Sequence, residues 1–164
     1  MTIETPFPAL TAEVRPEWID HNGHMNVGYY HVVFDNAVDP FFEWLGLTPE
    51  IRRRHDSSTF GLESHLFFLR EVKLGDRLRF AARLLDFDYK RIHFFIEMFH
   101  ADDGYLAATY EGLSSHVNIA MRRTAPMPDE MTQRMAAVLA AHRSLPRPAQ
   151  VGHVISAHPG RQAP

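Results

Sequence analysis

The chain has 164 residues, of which 45% are hydrophobic and 23% charged, with a formal net charge of −3. That profile fits one globular domain with an apolar core, and its slight acidity supplies no basic field for nucleic acid or for an anionic membrane. Cysteine is absent, which excludes disulfide scaffolds, thiolate nucleophiles and thiolate zinc sites. No basic segment followed by an apolar run opens the chain, and no apolar run nears the roughly 18 residues of a membrane span. A cytoplasmic protein with no nucleic-acid or membrane partner is the expectation.

Residues 9–16 read as a short strand closed by Pro16 and Trp18, and a loop covers 19–26. From Val27 the positions Val27, Tyr30, Val33, Phe34, Ala37, Val38, Phe41, Trp44 and Leu45 recur at three- and four-residue steps, one wide face of an amphipathic helix. Asn26 is its N-cap and Gly46 its end. Pro40 is expected to kink it, or to restart it behind an Asp39 cap. Residues 47–58 are polar and read as a loop or frayed turn.

Beyond them the period changes. Residues 59–72, 77–87, 91–100 and 105–120 are β-rich runs separated by turns at 73–76, 88–90 and 101–104. Their short spacing predicts an antiparallel sheet. Residues 92–99 are apolar on both faces, so the helix is expected to cover one face and a second subunit the other. A second amphipathic helix is expected over 128–143. The domain therefore spans 1–143, and 144–164, with Pro146, Pro148, Pro159 and Pro164, forms a tail expected to be mobile.

The chemistry concentrates in residues 20–30, Asp-His-Asn-Gly-His-Met-Asn-Val-Gly-Tyr-Tyr. A carboxylate at Asp20 precedes a glycine turn, and an N-capped helix begins at once. That order places an acid beside the free N–H groups and positive dipole end of the helix, where a substrate carbonyl can be polarised. The plainer reading is an Asp that closes its own Asx-turn, with Gly23 as a tight turn. His21 and His24 form His-x-x-His, but without the i, i+4 helical placement of a zinc motif. Met25 stands where a calcium loop needs glycine. No metal is expected.

The segment resembles the Asp-x-x-Gly-His-x-Asn-x-x-x-Tyr signature of the hotdog-fold acyl-CoA thioesterases of the 4-hydroxybenzoyl-CoA thioesterase type, through Asp20, Gly23, His24, Asn26 and Tyr30. Residues 70–78, Arg-Glu-Val-Lys-Leu-Gly-Asp-Arg-Leu, resemble that family's second-to-third strand hairpin, and the likeness covers residues 8–140. Glu63-Ser64-His65, Lys90-Arg91-Ile92-His93 and Arg122-Arg123-Thr124-Ala125-Pro126 resemble the branch linked to carnitine breakdown, whose members hydrolyse betainyl-CoA.

The resemblance implies an α+β hotdog fold, a five-stranded antiparallel sheet wrapped around one long central helix. It implies hydrolysis of an acyl-CoA thioester, with Asp20 as nucleophile or general base and Gly23, His24 and Asn26 shaping the catalytic loop. No metal or redox cofactor is implied, and the sites form between subunits of a homodimer or homotetramer. Trp18, Tyr29, Tyr30, Glu63 and His65 are the candidate acyl-group contacts, the rings and acid suiting a quaternary ammonium. Lys90, Arg91, Arg122 and Arg123 are the candidates for the coenzyme A phosphates, although basic turn residues are commonly just solvated. Asp35 and Asp39 on the central helix rival Asp20. A non-catalytic acyl-CoA-binding dimer and a hotdog dehydratase or hydratase are the alternatives.

Overall fold

The computed structural model describes residues 3–157. Strand β1 (Phe7–Glu13) leads through a 3₁₀ turn at Pro16–Trp18 into helix α1 (Val27–Trp44). Asn26 caps α1, its side-chain oxygen accepting the Gly28 N–H at 2.9 Å. At the far end Gly46 takes φ +112. The Gly46 N–H returns to the Glu43 carbonyl and the Leu47 N–H to the Phe42 carbonyl, a Schellman stop.

Pro40 does not interrupt α1, contrary to expectation, and no second helix starts at Asp39. The carbonyl that loses its donor belongs to Asn36, which is exposed and open to water. Phe41, Phe42 and Leu45, all with no exposed surface, hold the distal half of the helix in the core.

The segment expected as a loop contains helix α2 (Pro49–His55). Thr48 caps it through the Ile51 N–H, Pro49 takes its first turn, and Ile51 is buried beneath it. Strands β2 (Ser57–Phe68), β3 (Arg77–Phe87), β4 (Arg91–His100), β5 (Leu106–Asn118) and the two-residue β6 (Arg123–Thr124) follow, then helix α3 (Asp129–His142). All pairings are antiparallel, in the order β1-β3-β4-β5-β2, with β6 added to β5. The α+β class, the central helix and the wrapping sheet stand as expected.

One connection differs. Residues 70–78 do not form a hairpin, because β2 pairs only with β5 while β3 lies between β1 and β4. β2 ends at Phe68 rather than residue 72, since the Leu69 and Arg70 N–H groups both go to the Ala107 carbonyl. Residues 69–76 then cross from the sheet edge to β3 as a strap. Val72 in mid-strap has no exposed surface, and it anchors the crossing.

Alternation sorts the strands into two faces. Ile92, Phe94, Ile96 and Met98 of β4 join Phe80, Ala82 and Leu84 of β3 and Tyr110 of β5 against α1. Phe34 stands edge-on to Phe80 at 5.5 Å, and Phe42 edge-on to Phe94 at 5.1 Å. On the other face one register row runs His65–Glu111–Phe95–Arg83 across four strands. The chain itself covers much of that face, where a second subunit was expected. Arg83 pairs with Glu97 at 2.7 Å and donates to the Pro146 carbonyl, and the Gly152 N–H donates to Glu111. His153 stands edge-on to Phe67 at 4.8 Å. These are contacts of the segment expected to be a mobile tail, whose residues 158–164 lie outside the described residues.

Candidate active site

The loop before α1 is a closed turn. Ile19 and Met25 bridge its base, the Asp20 N–H donates to the His24 carbonyl at 2.9 Å and the Gly23 N–H to the Asp20 carbonyl at 3.0 Å. Gly23 has φ +77, a conformation a side chain would strain. The Asn26 N–H ties the loop to the Trp18 carbonyl at 2.8 Å.

Asp20 is half-buried, and its Oδ1 accepts the Asn22 N–H at 2.8 Å. The Asx-turn is therefore present and takes only one carboxylate oxygen. Of the backbone donors between Gly23 and Val27, three are engaged: Gly23, Met25 and Asn26. The His24 and Val27 N–H groups have no partner among the described residues. Val27 is the first residue of α1, where an N–H has no intrahelical acceptor and the dipole is positive.

Asp20, His24, Met25, Val27 and Tyr30 line one side of a cavity of about 350 Å³, and Phe68, Leu69, Arg70 and Glu71 line the other. The strap supplies this second wall. Tyr30 stands edge-on to Phe68 at 5.1 Å. Burial raises the Tyr30 phenol above its ordinary pKa. His24 Nε2 lies 2.8 Å from Glu71 Oε2, and Lys73 Nζ lies 3.2 Å from Glu71 Oε1.

The other candidates disperse. Trp18 is a core residue stacked on Tyr29 at 6.1 Å, and neither lines the Asp20 cavity. Glu63 and His65 line a larger cavity, about 530 Å³, on the outer sheet face with His93, Glu111 and His153. That cavity has no helix N-terminus opposite an acid, whereas the smaller one does. Asp35 is exposed on α1, and Asp39 lies 3.6 Å from Arg52; neither reaches Asp20's cavity.

Lys90, Arg91, Arg122 and Arg123 gather at the opposite end of the strands, where Arg91 is in register with Ser115 and Arg123 with Asn118. Asp20's cavity is at the Ala107 end of β5, roughly 30 Å away at about 3.3 Å per residue. Arg91 is already paired with Asp88 at 2.6 Å. The Lys90 backbone N–H and the Arg91 side chain hold the Asp88 carboxyl down to about 2. Arg122 and Arg123 are exposed, and Lys90 lies over the Tyr89 ring.

Glu71, Arg70, Phe68 and Leu69 were not legible as site residues. Residues 70–78 look like a hairpin turn, and turn residues face solvent. The available signal was Val72, a single apolar residue between charged neighbours, marking a segment docked on the core.

A curled antiparallel sheet wrapped around one long helix defines the hotdog class. Residues 14–135 match the thioesterase-like superfamily, and the chain belongs to that family and is a thioester hydrolase. It is 39% identical over 98% of its length to the betainyl-CoA thioesterase of Pseudomonas aeruginosa, covering 96% of that protein. It is 30% identical over 90% of its length to an L-carnitine dehydrogenase/betainyl-CoA thioesterase of Rhizobium meliloti, of which it spans 29%. Among solved structures, a Staphylococcus aureus protein in complex with CoA superposes with a TM-score of 0.84 at 30% identity, over 95% of this chain and 99% of that one.

Proposed function

We propose that the protein hydrolyses betainyl-CoA, or a closely similar short acyl-CoA, with Asp20 as the reacting carboxylate. The observation that carries this reading is the pairing of Asp20, one oxygen unbonded, with the unpartnered Val27 N–H in one cavity. The likeness to the Pseudomonas aeruginosa enzyme supports the acyl group.

The thioester carbonyl oxygen sits against the Val27 N–H, which stabilises the negative charge that develops there. In one route Asp20 attacks the carbonyl carbon, the C–S bond breaks and coenzyme A leaves as a thiolate. Water then cleaves the mixed anhydride, which frees the acid and restores Asp20. In the other, Asp20 takes a proton from water as the water attacks, the tetrahedral intermediate expels the thiolate, and Asp20 gives the proton to that sulfur and is restored.

The phosphates are met by Lys90, Arg122 and Arg123 of a second copy. Two β2 edges pairing antiparallel bring the basic end of one subunit toward the Asp20 end of the other. Within one chain the two ends are too far apart to share a ligand.

The test is thiol release over a panel of betainyl, aryl, short and medium acyl-CoAs, with Asp20→Asn alongside. One substrate is expected to stand out, and Asp20→Asn to lose at least about a hundredfold in kcat while remaining folded. Full activity in Asp20→Asn overturns its role. Saturable coenzyme A binding without turnover overturns hydrolysis. In a single turnover in labelled water, label found in Asp20 demonstrates the anhydride route, because direct water attack on the thioester leaves Asp20 unlabelled.

A further inference from the structure

We infer that Glu71, carried by the strap between β2 and β3, is a positioning residue of the catalytic loop: it holds His24, and through His24 it fixes Asp20. The inference rests on the reading of Asp20 as the reacting group. His24 is half-exposed on a loop, and its ring makes one contact among the described residues, Nε2 to Glu71 Oε2 at 2.8 Å. The His24 carbonyl accepts the Asp20 N–H, so the imidazole and the acid belong to one five-residue turn.

The direction of control follows from which partner is held more firmly. The Tyr105 hydroxyl donates to the Glu71 carbonyl at 2.9 Å. Leu69 and Arg70 both donate to the Ala107 carbonyl, and the Arg70 guanidinium covers the Tyr105 ring at 3.9 Å. On the other side Val72 is fully buried and accepts the Met25 N–H. Glu71 is thus presented from a backbone fixed on both sides. Lys73 takes Oε1 and leaves Oε2 for the imidazole. A carboxylate from a rigid support that orients a ring beside the reacting group is how catalytic geometry is held to fractions of an ångström.

The experiment compares kcat and KM of Glu71→Ala, Glu71→Gln, His24→Ala and the double alanine variant on the best-hydrolysed acyl-CoA. Thermal unfolding confirms that each variant is folded. Glu71→Ala is expected to lower kcat roughly ten- to a hundredfold with KM within about twofold. Glu71→Gln, which keeps an oxygen at the same reach, recovers most of that loss. The double variant is no slower than His24→Ala, as for two residues acting through one contact. Wild-type kcat in Glu71→Ala, or losses that add fully in the double variant, overturn the inference. Histidine-selective ¹H–¹⁵N spectra give a readout that needs no turnover. The His24 ring signal is expected to move in Glu71→Ala and to stay close to wild type in Glu71→Gln. An unmoved signal in Glu71→Ala overturns the inference even if no acyl-CoA proves to be a substrate, the result that would sink the hydrolytic reading separately.

Discussion

In the proposed mechanism the Val27 N–H is the oxyanion donor, and a proline substitution tests it at the backbone. Proline is tolerated at the first residue of a helix. Asn26 before it has φ −63 and ψ 140, the extended region that a residue preceding proline requires. Val27→Pro therefore removes the N–H while keeping the helix start, the exposed valine side chain being exchanged for the proline ring. The expected result is an intact fold with kcat about a hundredfold lower, the usual cost of losing one oxyanion donor, read by the same thiol-release assay with circular dichroism as control. Unchanged kcat would move the oxyanion site to the His24 N–H.

Asp20, Asn26 and Tyr30 were legible because each obeys a local rule: an acid beside a turn, a cap before a helix, a ring on its apolar face. Glu71 was not. Its part depends on a strap whose path is set by strand order, which is a non-local property. Glu63 and His65 show the converse. Alternation correctly puts them on one strand face, but only the assembled sheet shows that this face is the outer one.

At the level of elements, α1 and the sheet meet through close-fitting rings. Gly112 of β5 marks the tightest point, since a Cβ there would lie 2.5 Å from Phe94 Cζ and 2.7 Å from Tyr110 Cε1. Both rings are buried and packed on Phe34, Phe41 or Phe42. Gly112→Ala is expected to destabilise by roughly 1–3 kcal/mol, the range for overpacking a core, measured as a lowered denaturant midpoint.

Two histidines lock element ends. The His142 ring of α3 accepts the Leu84 N–H at Nδ1 where β1 has ended, and donates from Nε2 to the Glu4 carbonyl. His116 of β5 donates from Nδ1 to the Ala125 carbonyl and bonds Ser57 through Nε2. Burial pushes both imidazoles below their ordinary range, against weaker opposing hydrogen bonds. The unfolded chain, with histidine near 6.5, then binds protons more readily than the folded one. Stability is full above about pH 6.5 and declines as pH falls below it. The thermal midpoint is expected to drop between pH 7 and 5, and the drop to shrink in a His116→Gln/His142→Gln variant. Equal slopes in both proteins would refute the assignment.

Element types were mostly readable because hydrophobic period fixes them. The exceptions have physical causes: α2 is short and polar with its signal confined to Thr48-Pro49, and buried rings carry α1 through Pro40.

At the scale of the whole molecule, β2 is an edge strand whose outer backbone has no strand partner among the described residues. Phe60 and Leu62 on it are 59% and 55% exposed. An apolar, unpaired edge is uncommon in a chain that works alone. A Phe60→Glu/Leu62→Lys variant is expected to fall to the 18.9 kDa mass of one chain by light scattering and to lose turnover with it. A variant that keeps the larger mass would place the subunit contact elsewhere.

The strap has a consequence for how the molecule responds to its ligand. Its ends belong to β2 and β3, strands that do not pair, and its first residues, Leu69 to Glu71, form a pocket wall. A bound acyl group that packs against Leu69 and Arg70 therefore tightens both ends of the strap together. Occupancy should appear as slowed amide exchange at Phe68, which lines the cavity, and also at the first residues of β3, which do not. The pocket thereby doubles as a clasp, fastening shut a sheet whose own hydrogen bonds leave those two strands unconnected.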